Sequence, residues 1–566
     1  MTITTSPMLA LVPGTRTAPG TGANTGPRTA KPGQNHRNRN CRCLNCVLRA
    51  SGPNANTGPR IDPQFVSETA FAERHSAGYD AWLDHVWHAA ACTRPIRLRG
   101  DIKHIDAATG ELLRTIPTLG MPDHVIYKPC GNRRVTACPG CAETYRRDAY
   151  HLIRAGLTGG KGISPEVATH PAVFATFTAP SFGPVHTRPV RQHTCADKAR
   201  CTCRPERCHP RRDPGTCEHG RPAACFIRHR PDDPRLGKPL CADCYDYPAH
   251  VVWNNQAGEL WRRTKQAIER RLGQLARHRG VPPIRVPTSN GRSRLVDPVR
   301  VAHGKAAEYQ ARGAVHFHAL LRLDGYDPRD PDTLLPPPPV LTVTDLQEAV
   351  TWAATAISYL TAPHPAAPGG WRVAWGAQTD VRVITMTGTG DLSDLAVASY
   401  LAKYSTKGTE PAGHSSARIT AATIDMYANP DGTHPERLIA ACWKLGQHPD
   451  FTGLRRWAHM LGFGGHFLTK ARRYSVTFRD LRAARIAYRR RQDHGPEHGP
   501  IRTADHADEE TTLIIGTFAY SGTGWKTSGD ALLANTAADQ ARKRREAGRE
   551  ELAHEYNSTI PSEQAA

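Results

Sequence analysis

Residues Ala314 to Leu323 form an apolar, β-compatible run carrying two histidines, and no other segment constrains the chain as tightly. A strand turns successive side chains to opposite faces, so His316 and His318 project together while Phe317 points the other way into a core. Two neutral imidazoles side by side suit a divalent cation. Glu308 and Gln310 fall on a preceding strand and share a face, with Arg312-Gly313 as the turn between the strands. Glu308 is then the simplest third ligand. Met alone, a His-x-His pair in a strand is more often two partly exposed histidines than a metal site.

A second pattern follows at Tyr400-Leu401-Ala402-Lys403-Tyr404-Ser405-Thr406-Lys407. Residues 392–407 contain no Gly or Pro, Gly408 is a helix stop, and Asp391 or Ser393 would cap the start. Tyr400, Lys403, Tyr404 and Lys407 fall on one stripe of such a helix, while Leu395, Ala398, Leu401 and Ala402 pack inward. A phenol, with a pKa of about 10, is a poor nucleophile while protonated. A nearby ammonium favours the phenolate. Tyrosine attack on a DNA phosphodiester leaves a 5′-phosphotyrosyl enzyme and a free 3′-hydroxyl, and the retained bond allows rejoining. The plain alternative is an amphipathic helix with interfacial tyrosines.

Alternating histidines followed by a Tyr-x-x-Lys helix resemble the HUH endonucleases. The doubled Tyr-x-x-x-Tyr form is similar to rolling-circle replication initiators, and the surrounding text resembles initiators of actinobacterial plasmids and integrative elements. Phe174-Ala175-Thr176-Phe177-Thr178-Ala179-Pro180 matches the strand that precedes the histidines in that family. Further matches are Cys138-Pro139-Gly140-Cys141, Gly258-Glu259-Leu260-Trp261 and Gly465-His466-Phe467-Leu468-Thr469-Lys470. The resemblance implies metal binding by His316, His318 and Glu308, with Tyr400 and Tyr404 as nucleophiles. Each tyrosine begins its own Tyr-x-x-Lys, with Lys403 and Lys407 respectively. Some family members keep only the second tyrosine, which favours Tyr404. Imidazole ligation leans towards Mn²⁺ and availability towards Mg²⁺.

At 566 residues the chain can hold two or three domains. Its 74 Lys and Arg against 52 acidic residues leave a net charge of +22, which suits a polyanion and makes binding salt-dependent. No transmembrane segment is legible. Met1 to Ala10 lacks a charged leader and an apolar core, so no signal peptide is expected and the cytoplasm is the expected location. In that compartment the 16 cysteines suit metal better than disulfides.

Residues 1–60 are rich in Gly, Pro, Thr, Asn and Arg and read as a disordered basic arm, with Cys41, Cys43 and Cys46 inside it. Residues 85–160 form a zinc-knuckle region: Cys138 and Cys141 are a half-site, Cys130 a third ligand, and Cys92 or His124 the fourth. The arginine-bearing helix 142–156 follows. A core expected over 170–410 carries a Cys/His-rich insertion at 190–247, folded around zinc rather than apolar side chains. Cys241 and Cys244 are its clearest half-site, with Cys217 and Cys225 as partners, but spacing cannot settle the pairing. An amphipathic helix spans 258–279, another 345–360, and a strand lies at 381–386. The order strand, helix, strand, strand, helix, strand, helix predicts an α+β fold, an antiparallel-sheet HUH core with zinc-knuckle insertions and a helical accessory region.

Residues 411–486 interleave aromatic and basic groups, Trp457, Phe463 and Phe467 among them. They suit either a single-stranded DNA surface or ordinary packing. A linker at 487–510 and a strand-helix tail at 511–566 complete the chain.

The expected function is a plasmid rolling-circle replication initiator. It would nick one strand of origin DNA, stay attached through tyrosine, and leave a 3′-hydroxyl for a host DNA polymerase. No Gly-x-x-x-x-Gly-Lys-Ser/Thr loop is present, so unwinding would need a host helicase. A conjugative relaxase or HUH transposase would share the chemistry. A zinc-dependent DNA-binding regulator without catalysis is the alternative of another class.

Overall fold

The computed structural model describes residues 78–190, 205–212, 215–288, 290–384, 394–409, 418–493 and 512–559. The basic arm with Cys41, Cys43 and Cys46, the insertion residues His193, Cys195, Cys201 and Cys203, and the caps Asp391 and Ser393 lie outside the described residues. The described chain divides into two units, 91–524 and a smaller one of 78–90 with 525–559. In the smaller unit the helix Tyr79–Val86 buries Trp82 against Trp525, and a long helix spans Ser528–Thr559.

The larger unit begins with β1 (Ile96–Asp106), β2 (Leu112–Pro117), β3 (Ile126–Lys128) and α1 (Pro139–Thr158). Then come β4 (Ala172–Phe177), α2 (Tyr247–His278), β5 (Val299–Tyr309) and β6 (Val315–Gly325). Next are α3 (Val343–Ala356), β7 (Thr379–Val383), α4 (Asp394–Tyr404) and α5 (His434–Leu445). Last are β8 (Leu468–Lys470), α6 (Phe478–Asp493) and β9 (Thr512–Thr523). The architecture is α+β. A five-stranded sheet runs β7-β4-β6-β5-β8 with every pairing antiparallel. In a second antiparallel sheet, β1 pairs with β9, β2 and β3.

The five-stranded sheet is covered on both faces, so its central strand reads as a nearly unbroken apolar run. On one face Phe177, Phe317, Ala319 and Leu321 pack against α2, α3 and α5. On the other, Phe174, Ala306 and Leu320 pack against α1, α4 and α6. Phe317 is fully buried, worth about 1.5–3 kcal/mol for such a side chain. The polar residues of β6 that fall inside are paired. Arg322 holds Asp324 at 2.7 and 2.9 Å, and His170 adds a contact to Asp324 at 2.8 Å. The β5–β6 turn closes through Gln310 N–H to the Ala314 carbonyl. It needs Gly313, whose φ of +83° is disfavoured for other residues.

Several boundaries differ from expectation. The α2 helix starts eleven residues early, at Tyr247, because Asp246 caps it through Ala249 N–H and Pro248 fits its first turn. A Thr342–Asp345 capping box starts α3, which stops at Ala356 because Ser358–Leu360 pairs instead with Arg372–Ala374. The α6 helix runs through Asp493, into the expected linker. The described part of the expected accessory region, residues 418–486, does not stand apart: β8 is the edge strand of the core sheet, and α5 shares the core of α2. Phe463 and Phe467 are buried in that core, which for these two rings favours packing over a single-stranded DNA surface. Leu395 does not pack inward and is 48% exposed; Val397 takes that role. Among the described residues, no helix is long and apolar enough to cross a membrane.

Candidate functional site

The face of the sheet that meets α4 carries the histidines. Glu308 on β5 is directly opposite His316 on β6, and His318 is opposite Ala306 one step along. Glu308 Oε2 lies 3.0 Å from His316 Nε2 and 3.3 Å from His318 Nε2. The three donor atoms are all within 4.8 Å of one another and could hold one cation. Gln310 is not part of the group; it sits in the turn, where its side-chain oxygen accepts from Arg312.

Burial alone would raise the Glu308 carboxyl, but hydrogen bonds from both histidines and the charge of Lys407 hold it well below the usual range. Burial pushes His318 down to about 4, with His316 acting in the same direction and Glu308 opposing. His318 is therefore neutral at pH 7, as a metal ligand must be. Its other nitrogen, Nδ1, is 3.2 Å from the Thr176 hydroxyl on β4. Phe174, two residues earlier and on the same face, stacks parallel to the His318 ring with centroids 6.0 Å apart. The Phe/Thr alternation of β4 thus fixes the orientation of one histidine.

The α4 helix brings both tyrosines to this group. The Tyr400 hydroxyl is 3.3 Å from His318 Nε2, and the Tyr404 ring centroid is 5.6 Å from that of His318. The two phenol rings are 4.4 Å apart. Burial, then the neighbouring Tyr404 and Glu308, pushes the Tyr400 phenol well above the ordinary tyrosine value. Lys407 Nζ sits 4.1 Å from the Tyr404 ring centroid and 2.9 Å from Glu308 Oε1. Lys403 is exposed, and its Nζ lies 5.7 Å from the Tyr404 ring. Of the four residues on the expected stripe, Tyr400 and Tyr404 meet His318 and Lys407 meets Glu308, while Lys403 turns away.

The end of α4 is held from outside by Arg133, which sequence reasoning missed. Its guanidinium donates to the carbonyls of Ser405 and Lys407 and lies 3.7 Å from the Phe467 ring centroid. Arg133 belongs to the loop between Cys130 and Cys138. Cys92, Cys130, Cys138 and Cys141 bring four sulfurs together, with Cys138–Cys92 at 3.8 Å and Cys130–Cys141 at 3.7 Å. Backbone N–H groups of Thr93, Cys130 and Asn132 donate to these sulfurs at 3.3–3.5 Å. Cys92 therefore completes this group; His124 is engaged elsewhere, with the Leu119 carbonyl.

In the insertion, Cys217 does meet Cys241 and Cys244, joined by His219. Cys225 does not. It belongs to a separate group with His186, Cys208 and His229.

A family model described as a replication initiator protein of pSAM2 matches residues 78–539. A replication initiator protein of Streptomyces ambofaciens is 41% identical over 478 residues, spanning 83% of this chain and 92% of that protein. No solved structure matches. The length of both matches is decisive: the chain belongs to the RepSA family of replication initiator proteins.

Proposed function

We propose that this initiator nicks one strand of its origin DNA through an HUH-type site, with Tyr404 as the first nucleophile and Tyr400 as the second. The observation that carries the reading is the convergence of two phenols on a Glu-His-His group, across the interface between α4 and the sheet. In the reaction the Tyr404 oxygen bonds to the scissile phosphorus and the bond from phosphorus to the 3′ oxygen breaks. The phenolic proton is lost and the leaving oxygen gains one, so the products are a 5′-phosphotyrosyl chain and a 3′-hydroxyl.

His316, His318 and Glu308 would hold the divalent metal. A bound Mn²⁺ or Mg²⁺ would supply Lewis-acid polarisation of a phosphate oxygen. The mixed nitrogen and oxygen donors, with a neutral His318, fit either ion. Lys407 Nζ stands over the Tyr404 ring and also donates to Glu308 Oε1, the carboxylate oxygen turned away from the histidines. Two observations at Tyr400 support placing it second: burial holds its phenol above the ordinary tyrosine value, and its hydroxyl is already engaged with His318. It serves a second transfer, which would release the displaced circle.

The Cys92, Cys130, Cys138 and Cys141 group is assigned to structural zinc. Four thiolates at zinc–sulfur bonds of about 2.3 Å put sulfurs about 3.8 Å apart at the edges of a tetrahedron. Origin DNA is the expected partner of the basic chain, and priming and unwinding are assigned to host polymerase and helicase.

The test uses the supercoiled replicon that encodes the protein, with and without Mn²⁺. Wild type should give nicked circles, and Tyr400→Phe with Tyr404→Phe together should give none. Nicking that persists in the double variant refutes the proposal. Intact DNA binding with no nicking by wild type in either metal would favour a binding protein without catalysis.

A further inference from the structure

Residues 184–246 leave the sheet after β4 and return at the cap of α2, and their described part is poor in large apolar side chains. Among the described residues, eight potential metal ligands in two clusters take the place of a core. In chain order they form four pairs: His186 with Cys208, Cys217 with His219, Cys225 with His229, and Cys241 with Cys244. The first and third pairs meet in one cluster, and the second and fourth in the other. Spacing along the chain favours no such interleaving.

The first cluster is built as a ligand set. His186 Nδ1 and His229 Nε2 are 3.2 Å apart, and Cys225 Sγ is 3.6 Å from the same Nε2. His229 turns its other nitrogen, Nδ1, to Asp233 Oδ2 at 2.7 Å, and Arg235 holds that carboxylate at 2.8 Å. A histidine whose Nδ1–H is donated to a carboxylate presents Nε2 as a lone pair, the usual outer support of a metal-bound imidazole. Thr187 N–H donates to Cys208 Sγ at 3.1 Å. His209 Nδ1 also lies 3.1 Å from Cys208 Sγ but stands outside the four-ligand set. In the second cluster His219 Nδ1 approaches Cys244 Sγ at 3.2 Å.

The two ends of the segment are zipped together by His186 N–H to the Lys238 carbonyl and Leu240 N–H to the Pro184 carbonyl. Between them Gly237 lies flat on the β5–β6 turn, where an added Cβ would fall 2.3 Å from the Ala311 carbonyl carbon.

We propose that the described part of residues 184–246 is a cross-braced module that holds two zinc ions. One ion is held by His186, Cys208, Cys225 and His229, the other by Cys217, His219, Cys241 and Cys244. The interleaved order ties the described segment into one unit, since the loop closed by each ion contains a ligand pair of the other: Cys217 and His219 lie between Cys208 and Cys225, and Cys225 and His229 between His219 and Cys241. The proposal is independent of the nicking chemistry.

The test is made on the full-length protein. Its zinc is removed in steps with a chelator, and newly exposed thiols are alkylated and mapped by mass spectrometry. Cross-bracing predicts that Cys208 and Cys225 open together, and Cys217, Cys241 and Cys244 together. Cys208 opening with Cys217 would overturn it, as would free alkylation of all five in the untreated protein. If all five open in one step, cadmium-113 NMR of two ligand swaps decides. With cross-bracing, Cys225→His leaves a three-sulfur site beside a one-sulfur site, whereas Cys217→His leaves two sites of two sulfurs each. Pairing of consecutive ligands predicts the reverse, and that result would overturn the proposal.

Discussion

Glu308 and His316 face each other directly across the β5–β6 ladder, with the carboxylate oxygen 3.0 Å from the imidazole Nε2. The pairing depends on strand register, because a slip of one residue would turn both histidines to the opposite face, against α2. The tight turn at Gly313 sets that register, so a five-residue turn from Gln310 to Ala314 positions all three candidate ligands.

Thr176 acts on this group only through His318. Thr176→Val removes the hydroxyl that orients the Nδ1 edge of the ring. We expect Mn²⁺ to support nicking with an affinity lower by about 10–100-fold, the usual effect of losing an outer-shell partner. A metal titration of nicking rate measures it. Unchanged metal dependence would mean that the hydroxyl does not orient the ligand.

Arg133 holds the last turn of α4 by two backbone carbonyls. Arg133→Ala should slow nicking by about tenfold, the effect of losing about 1.4 kcal/mol of positioning. Single-stranded DNA affinity should hold, since the Arg133 guanidinium is engaged with these two carbonyls and the Phe467 ring. Rate and affinity measured on the same oligonucleotide separate the two. Equal losses in both would point to Arg133 as a DNA contact instead.

Lys305 is buried on the α2 face of β5, its Nζ 3.6 Å from the Phe317 ring centroid. Burial pushes its pKa down from 10.5 to about 7, and the ring face offsets part of that cost. Between those values the unfolded chain binds more protons than the folded one. Stability should therefore rise with pH across that window, by at most about 1.4 kcal/mol per pH unit from this group. Lys305→Met should remove this rise and stabilise the protein most at pH 7 and below. Denaturant titrations at pH 6 and pH 10 test it; an equal effect at both would contradict it.

The parts of the fold that were legible in sequence are those built on local periodicity. The His-x-His strand, its hairpin partner and the tyrosine helix follow from spacing of two or of three and four residues, and so did the alternating β4 strand. Long-range choices were not legible. Nothing local to Leu468-Thr469-Lys470 says that it pairs with β5, or that β9 returns four hundred residues later to lie beside β1. Phe463 and Phe467 look alike as DNA-stacking groups or core anchors until burial decides. Arg133 had one available signal, its place inside the Cys130–Cys138 loop, but its partner is a backbone 272 residues away. Ligand pairing in the insertion failed for the same reason: Cys225 is nearer to Cys217 in sequence than to Cys208, yet it closes on Cys208.

The most direct test of the central claim is to map the covalent adduct. Wild-type protein is reacted with a single-stranded origin oligonucleotide and Mn²⁺, then digested with nuclease and trypsin. Cleavage after Lys403 places Tyr400 and Tyr404 on different peptides. The account predicts a nucleotide on the peptide Tyr404-Ser405-Thr406-Lys407 at first turnover. A nucleotide found first on the peptide that ends in Lys403 would reverse the order of the tyrosines, and an adduct on neither peptide would contradict the account.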